Sequence, residues 1–279
     1  MEVPDLWSGE YKTATKIYML KIIVCLKQVP DTTEIKINPV TGTLIRDGVP
    51  SIMNPDDKGG LELALRAKEL QGAHVTIVTM GPPQADVMLR EALAMGADRA
   101  ILLTDAKFAG SDTLATSNAL SGLLRKLEWD VIVAGRQAID GDTAQVGPQI
   151  AELLGLPQVT YVAGMEYDGK RTLRIKKETE EGYQLLEVSV PCLLTVLASA
   201  YPARYMNVGG IVDAYDREVE MWNASMIEVD EAVLGLKGSP TRVVKSFSKD
   251  AKGKGEVYDV ETEEAVGIIM SKLKEKFII

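Results

Sequence analysis

The stretch Ala134-Gly135-Arg136-Gln137-Ala138-Ile139-Asp140-Gly141-Asp142-Thr143-Ala144-Gln145-Val146-Gly147-Pro148 has the make-up of an anion cradle. An apolar run ends in Gly135, small residues follow, and a helix is expected to begin near Thr143. Free amides at a helix start favour phosphate oxygens. Gly135, Gly141 and Ala144 let a backbone approach a pyrophosphate closely, and Arg136 adds charge and a planar donor fork. The aspartates would repel phosphate, so Asp142 with Thr143 is assigned to capping the helix and Asp140 to bracing the loop. The competing reading is a plain Gly-rich connection, since the pattern is neither a Walker loop nor GxGxxG.

Three more loops are expected at the same edge: Cys25 to Lys27 after a first strand, Met80-Gly81 after a second, and Asn54 at the start of a helix. Lys27 reads either as a phosphate or flavin contact or as a solvated lysine. No catalytic set stands elsewhere. His74 is the sole histidine, which excludes most Ser-His and Cys-His arrangements and a histidine-built zinc site; no Gly-x-Ser-x-Gly elbow occurs. The two cysteines, Cys25 and Cys192, each sit in an apolar stretch and read as buried strand residues. Redox work would therefore need a cofactor to carry the chemistry.

The elements that must position these loops follow from hydrophobic patterning. Ile22-Ile23-Val24-Cys25-Leu26, Val75 to Thr79, Ala100 to Leu103 and Val131 to Ala134 are continuous and largely β-branched, as strands covered on both faces are. Helical stretches alternate with them: one opened by Asn54-Pro55-Asp56-Asp57 and closed by Gly72, one after Gly81-Pro82-Pro83, one from Leu114 to Leu127, and one ending at Leu154-Gly155. This alternation predicts an α/β fold with a doubly wound, Rossmann-like parallel sheet. Past Gln158, three alternating segments (159–166, 172–176, 184–190) predict an antiparallel meander, and Leu193 to Leu197 one more buried strand. Residues 21–200 are thus assigned to the nucleotide-binding domain. From 201 to 260 the periodicity fades and few regular elements are expected, with Lys249 to Lys254 mobile. Glu261 to Lys276 is a helix charged to match its dipole. An irregular arm over 201–279 with exposed Trp and Leu suits a partner surface. Residues 1–20 are read as a flexible N-terminal extension, with Met19 as a candidate true start.

The formal net charge of -9 disfavours nucleic acid and anionic membranes. No apolar run nears the roughly 20 residues that span a bilayer. A reducing cytoplasm fits the lone cysteines.

Several blocks now stand together: Val24-Cys25-Leu26-Lys27-Gln28-Val29-Pro30-Asp31, Asp47-Gly48-Val49 leading to Met53-Asn54-Pro55, Ala92 to Arg99, Gly135-Arg136-Gln137-Ala138-Ile139-Asp140, and Pro202-Ala203-Arg204-Tyr205. In that order they resemble electron-transferring flavoprotein beta subunits, from Lys21 to the C-terminus. The resemblance implies adenine-nucleotide contacts at Cys25, Lys27, Asn54, Met80, Gly81, Gly135, Arg136, Gln137, Gly141, Asp142, Thr143, Ala144, Gln145 and Val146. It also implies a C-terminal arm embracing an alpha subunit. In one branch of the family the site holds AMP as a structural ligand. In the electron-bifurcating branch it holds FAD, which takes hydride from NADH, sends one electron to ferredoxin or flavodoxin, and sends the other through the alpha-subunit FAD to a dehydrogenase. Gln28 with Pro30, and Asn54-Pro55-Asp56-Asp57-Lys58, look like the bifurcating members; AMP-binding relatives typically carry Arg at the first position and lack the proline. Arg204, Tyr205, Met206, Asn207, Val208 and Gly209 fall on the loop by which the family recognises its dehydrogenase. There Val208 replaces the usual anchoring leucine, and Asp213 and Asp216 replace basic residues. An acyl-CoA dehydrogenase is the implied partner, with a flavin-linked hydroxyacid dehydrogenase as alternative. A stand-alone ATP-binding module of the universal-stress type shares the sheet but has no use for the arm.

Overall fold

The computed structural model describes residues 18–31, 36–37, 44–45, 50–241 and 255–279. They fall into two compact units. The first carries thirteen strands among its described residues. In chain order its elements are β1 (Lys21–Cys25), β2 (Gln28–Pro30), β3 (Lys36–Ile37), β4 (Leu44–Ile45), β5 (Ser51–Met53), α1 (Pro55–Gln71), β6 (His74–Met80), α2 (Asp86–Met95), β7 (Arg99–Leu103), α3 (Thr113–Leu124), β8 (Val131–Gly135) and α4 (Val146–Leu154). Then follow β9 (Gln158–Tyr167), β10 (Thr172–Thr179), β11 (Gly182–Ser189), β12 (Cys192–Val196), α5 (Val208–Asp216), β13 (Val219–Trp222) and α6 (Gly235–Gly238). The second unit's described residues include α7 (Thr262–Glu275), with Glu263 and Glu264 in its first turn and Lys272 and Lys274 in its last, as the dipole favours.

Nine strands make one sheet in the order β11-β10-β9-β12-β8-β1-β6-β7-β13. From β9 to β13 every neighbouring pair is parallel; β9, β10 and β11 form the antiparallel meander. The expected doubly wound α/β fold is present. Alternation along each strand feeds two cores. Ile22, Val24, Val131 and Val133 point into the one that also holds Leu61 and Leu65 of α1 and Leu89 of α2. Ile23, Cys25, Ile132 and Ala134 point into the other, with Leu123 of α3 and Ile150 of α4. Both faces being covered is why these strands read as unbroken apolar runs. The strand order reverses between β1 and β8: the chain builds outward from β1 through β6 and β7, then returns to the other side of β1. Ligands of open α/β sheets bind in the crevice outside the carboxyl ends of strands at such a switch point.

The structure departs from expectation in three places. The sheet does not stop at residue 200: α5 packs on α2, and β13 pairs in parallel with β7 as the far edge strand. Arg99 fixes that edge with two hydrogen bonds to Glu220, at 2.6 and 2.8 Å. Packing also begins before Lys21, because Leu20 is in the core and the Tyr18 hydroxyl donates to Asp130. Finally, α4 starts at Val146 rather than near Thr143. The expectations for residues 1–17 and for Lys249 to Lys254 lie outside the described residues.

Candidate functional site

The carboxyl ends of β1 and β8 are tied together by the start of α1. Asn54 is fully buried and stands at the N-cap, yet its side chain caps nothing. Instead Nδ2 donates to the Gln137 carbonyl at 2.8 Å, and Oδ1 accepts from the Ile139 amide at 3.1 Å. Its own amide donates to the Lys27 carbonyl at 2.9 Å. A buried amide left without partners would cost about 1–3 kcal/mol, so these bonds are what permit a polar side chain here.

Asp57, also buried, takes the Gly135 amide on Oδ1 at 2.9 Å and the Lys27 amide on Oδ2 at 2.7 Å. Burial pushes its carboxyl up to about 7, against the hydrogen bonds from Lys27, Asn54 and Gly135 that favour the charge. Asp56 divides its two oxygens: Oδ1 accepts from the Ala198 amide at 2.8 Å, while Oδ2 takes the Gln137 amide and Arg136 Nε, each at 3.3 Å. Such contacts need α1 hard against the sheet. A side chain at Gly60 would come within 2.9 Å of Val133 Cγ1.

The loop beyond is shaped by residues that hold left-handed backbone without being glycine: Asp142 has φ 49° and Ala144 φ 53°. Asp142 does not cap α4, as expected from the sequence. Its Oδ1 accepts from Gln137 Nε2 at 2.8 Å, inside the loop, and the residue preceding α4 is Gln145, which makes no capping bond. With no side chain serving them, the amides of Thr143, Ala144, Gln145, Val146 and Gly147 donate to nothing among the described residues. Pro148, in the first turn, has no N–H to leave unsatisfied. Five successive amides at a strand-end loop and helix start are thus without a partner among the described residues, the kind of backbone that can accept an anion.

The carboxylates around the loop bear on whether an anion could sit there. Asp140 pairs with Lys27 Nζ at 2.8 Å, which bears out its bracing role and removes Lys27 as a free cation. Asp56 is balanced by Arg136 at 3.3 Å and by two amides. Asp142 accepts from Gln137, and burial raises the Asp57 carboxyl to about 7. Arg136 also lies over the Tyr161 ring, 5.8 Å from its centroid. Residues that could hold a nucleotide phosphate are thus the 143–147 backbone and Arg136.

Of the other expected site residues, Cys25 ends β1 with its thiol pushed up to about 12 by burial, so it is a packing residue rather than a nucleophile. Met80 ends β6 at the same edge and Gly81 follows it; the Gly81 amide donates to the Leu103 carbonyl, and neither backbone bonds to the 135–147 loop. Sequence reasoning missed Asp56, Asp57, Ala198 and Tyr161. Two acids followed by Gly59-Gly60 were the available signal for the first pair: charge in a helix turn too closely packed to be solvated.

A cavity of about 430 Å³ adjoins the cluster at Pro55 and Ala198 and is lined further by Lys58, Glu91 and Tyr201. Another, about 420 Å³, lies at the opposite edge beside Tyr18, Lys21 and Trp129. There Lys21 is already paired with Glu128, so it presents no comparable binding chemistry. Among the described residues no acid, histidine and cysteine cluster could hold a metal, and no helix is long and apolar enough to cross a membrane.

The segment expected to meet a dehydrogenase shows two characters. Arg204 turns inward, donating to Glu62 and Glu69. Asn207 caps α5, accepting from the Gly210 amide at 2.6 Å. Tyr205 is 97% exposed and Val208 79% exposed, with Met206 also at the surface.

Comparison with known proteins agrees with this architecture. The electron transfer flavoprotein domain matches residues 41–226. An electron transfer flavoprotein subunit beta of Clostridium acetobutylicum is 59% identical over 260 residues, 93% of this chain and 100% of that protein. A caffeyl-CoA reductase-Etf complex subunit of Acetobacterium woodii is 52% identical over 263 residues, with the same coverage of both chains. An acryloyl-CoA reductase electron transfer subunit gamma of Anaerotignum propionicum is 45% identical over 271 residues, again with that coverage. The chain belongs to the electron transfer flavoprotein family, among its beta subunits.

Proposed function

We propose that this beta subunit binds FAD at the cradle of residues 135–147 and works in a cytoplasmic, NADH-dependent electron-bifurcating complex. The observation that carries the reading is the run of five amides at the switch point without a partner among the described residues, with Arg136 in the same loop and Asp56, Asp57, Asp140 and Asp142 each hydrogen-bonded. When bound, the flavin supplies hydride acceptance from NADH and division of the electron pair between ferredoxin or flavodoxin and the alpha-subunit FAD. The protein's part is to hold the diphosphate on backbone donors, fix the loop through Asn54 and Asp57, and keep the aspartates from repelling it. Residues beyond β13 embrace the alpha subunit, and 204–209 meet the flavin-linked dehydrogenase. The names of the caffeyl-CoA and acryloyl-CoA relatives support a partner acting on acyl-CoA thioesters.

Flavin counting on the complex purified with its alpha subunit tests the reading. Two FAD per heterodimer, one of them reduced on NADH addition, is the expected result. One FAD with one AMP would make this a docking subunit with a structural nucleotide, and bifurcation would be lost from the account.

A further inference from the structure

Helix α1 grips more than the cradle. Five residues beyond Asp57 on the same helix, Glu62 has only 4% of its side chain exposed and accepts from Arg204 three times: from the amide at 3.2 Å, from Nε at 2.8 Å and from Nη2 at 3.1 Å. Glu69 takes both terminal nitrogens of the same guanidinium, one of them at 3.1 Å. Arg66, between them, donates to Glu62 and lies 4.7 Å from the Tyr201 ring centroid. The Tyr201 hydroxyl accepts from the Met165 amide at 3.3 Å. The connector leaving β12 is therefore pinned to α1 at two points, Asp56 through Ala198 and Glu62 with Glu69 through Arg204. Directly after the second pin come Tyr205, Val208, Val212 and Tyr215, all exposed.

We propose that Glu62 and Arg204 are positioning residues through which α1 links the state of the nucleotide cradle to the orientation of the exposed stretch 205–209. The junction is Asp56, whose Oδ2 serves Arg136 and Gln137 of the cradle while Oδ1 serves Ala198 of the connector. A phosphate that draws Arg136 away changes what Asp56 must balance, and the connector is bonded to that same carboxylate. The buried Glu62 makes orientation the sensible role for the pin. Exposed ion pairs add little stability, and a buried one roughly offsets its attraction by desolvation, whereas three bonds from one residue to Glu62 fix where Arg204 lies. Coupling of this kind needs two sites and one element biased by both. The inference rests on the cradle being a nucleotide site, and its test separates the two claims.

The test is hydrogen exchange, read by mass spectrometry, on the full heterodimer stripped of nucleotide and then given AMP or FAD. In the unsubstituted protein, either nucleotide is expected to slow exchange at least tenfold in 198–212 as well as in 135–147. Glu62→Gln, which keeps shape and removes charge, is expected to keep the response at 135–147 and lose it at 204–212. Exchange there should also be about tenfold faster than in the unsubstituted protein without nucleotide. Arg204→Lys, unable to bridge both glutamates, serves if Glu62→Gln folds poorly by its melting curve. A response at 135–147 with none at 198–212, or a variant that keeps the distal response, overturns the coupling. No response at 135–147 overturns the nucleotide reading instead. In that case the nucleotide-free comparison still judges the pin, with equal exchange in variant and parent overturning it.

Discussion

Gly135→Ala is expected to lower unfolding free energy by about 3 kcal/mol or more, the upper end of overpacking costs, and to abolish nucleotide retention. The added methyl would overlap Asp57 Oδ1 and lie 2.7 Å from the Asp57 nitrogen and 2.8 Å from the Asp56 carbonyl carbon. Two of those obstacles are backbone at the first turn of α1, so no side-chain rotation relieves the clash. The helix start must back away from β8, and the bonds of Asp57 to Gly135 and of Asn54 to Gln137 and Ile139 go with it. Denaturant unfolding together with extraction of bound nucleotide checks both parts. A variant with parental stability and a full nucleotide complement would show that α1 does not anchor the loop.

Asp57→Asn is expected to be the second most damaging change, with a pH signature that a packing defect lacks. An amide nitrogen would replace one carboxylate oxygen and face a backbone N–H, leaving a buried donor unsatisfied at about 1–3 kcal/mol. The carboxyl of Asp57 stands at about 7 in the folded chain against 3.8 for an ordinary aspartate. The native state therefore holds the proton over a window where the unfolded chain has lost it. Stability from this group is fully present below about pH 4 and drains away as pH rises to about 7. Asparagine has no such window. The stability gap between parent and variant should accordingly narrow from pH 4 to 7 and stay level above. A gap independent of pH would place the carboxyl at its ordinary value and remove the charge argument for the cradle.

These two residues also show which parts of the molecule could be read in advance. The parallel strands were legible because their cause is local: a strand buried on both faces must be apolar at every position, as Ile22 to Cys25 and Val131 to Ala134 are. The loop at 135–147 was legible as composition, small residues after a buried strand. Its wiring was not. Asp142-Thr143 looks like a cap because capping is recognised by neighbours in sequence, whereas the loop is held by Asn54 and Asp57, about 80 residues earlier. Nothing local separates a buried acid that organises a distant loop from one that merely suits a helix dipole. The same limit hid α5 and β13. Val208-Gly209-Gly210-Ile211-Val212 is a poor helix by propensity, and it forms where Asn207 caps it and α2 receives it. The four residues of β13 are a strand because Arg99 and β7 wait at the sheet edge. Arg204 was legible as part of a partner-facing loop only by likeness. Its inward turn onto Glu62 follows from the position of α1, which pattern alone does not give.

A structure of the alpha–beta complex grown with FAD or AMP bears most directly on the cradle. The account predicts diphosphate or phosphate oxygens within hydrogen-bonding distance of the amides of residues 143–147, with the Arg136 guanidinium turned toward them. An adenylate seated elsewhere on the subunit, with those five amides facing only water, would contradict it.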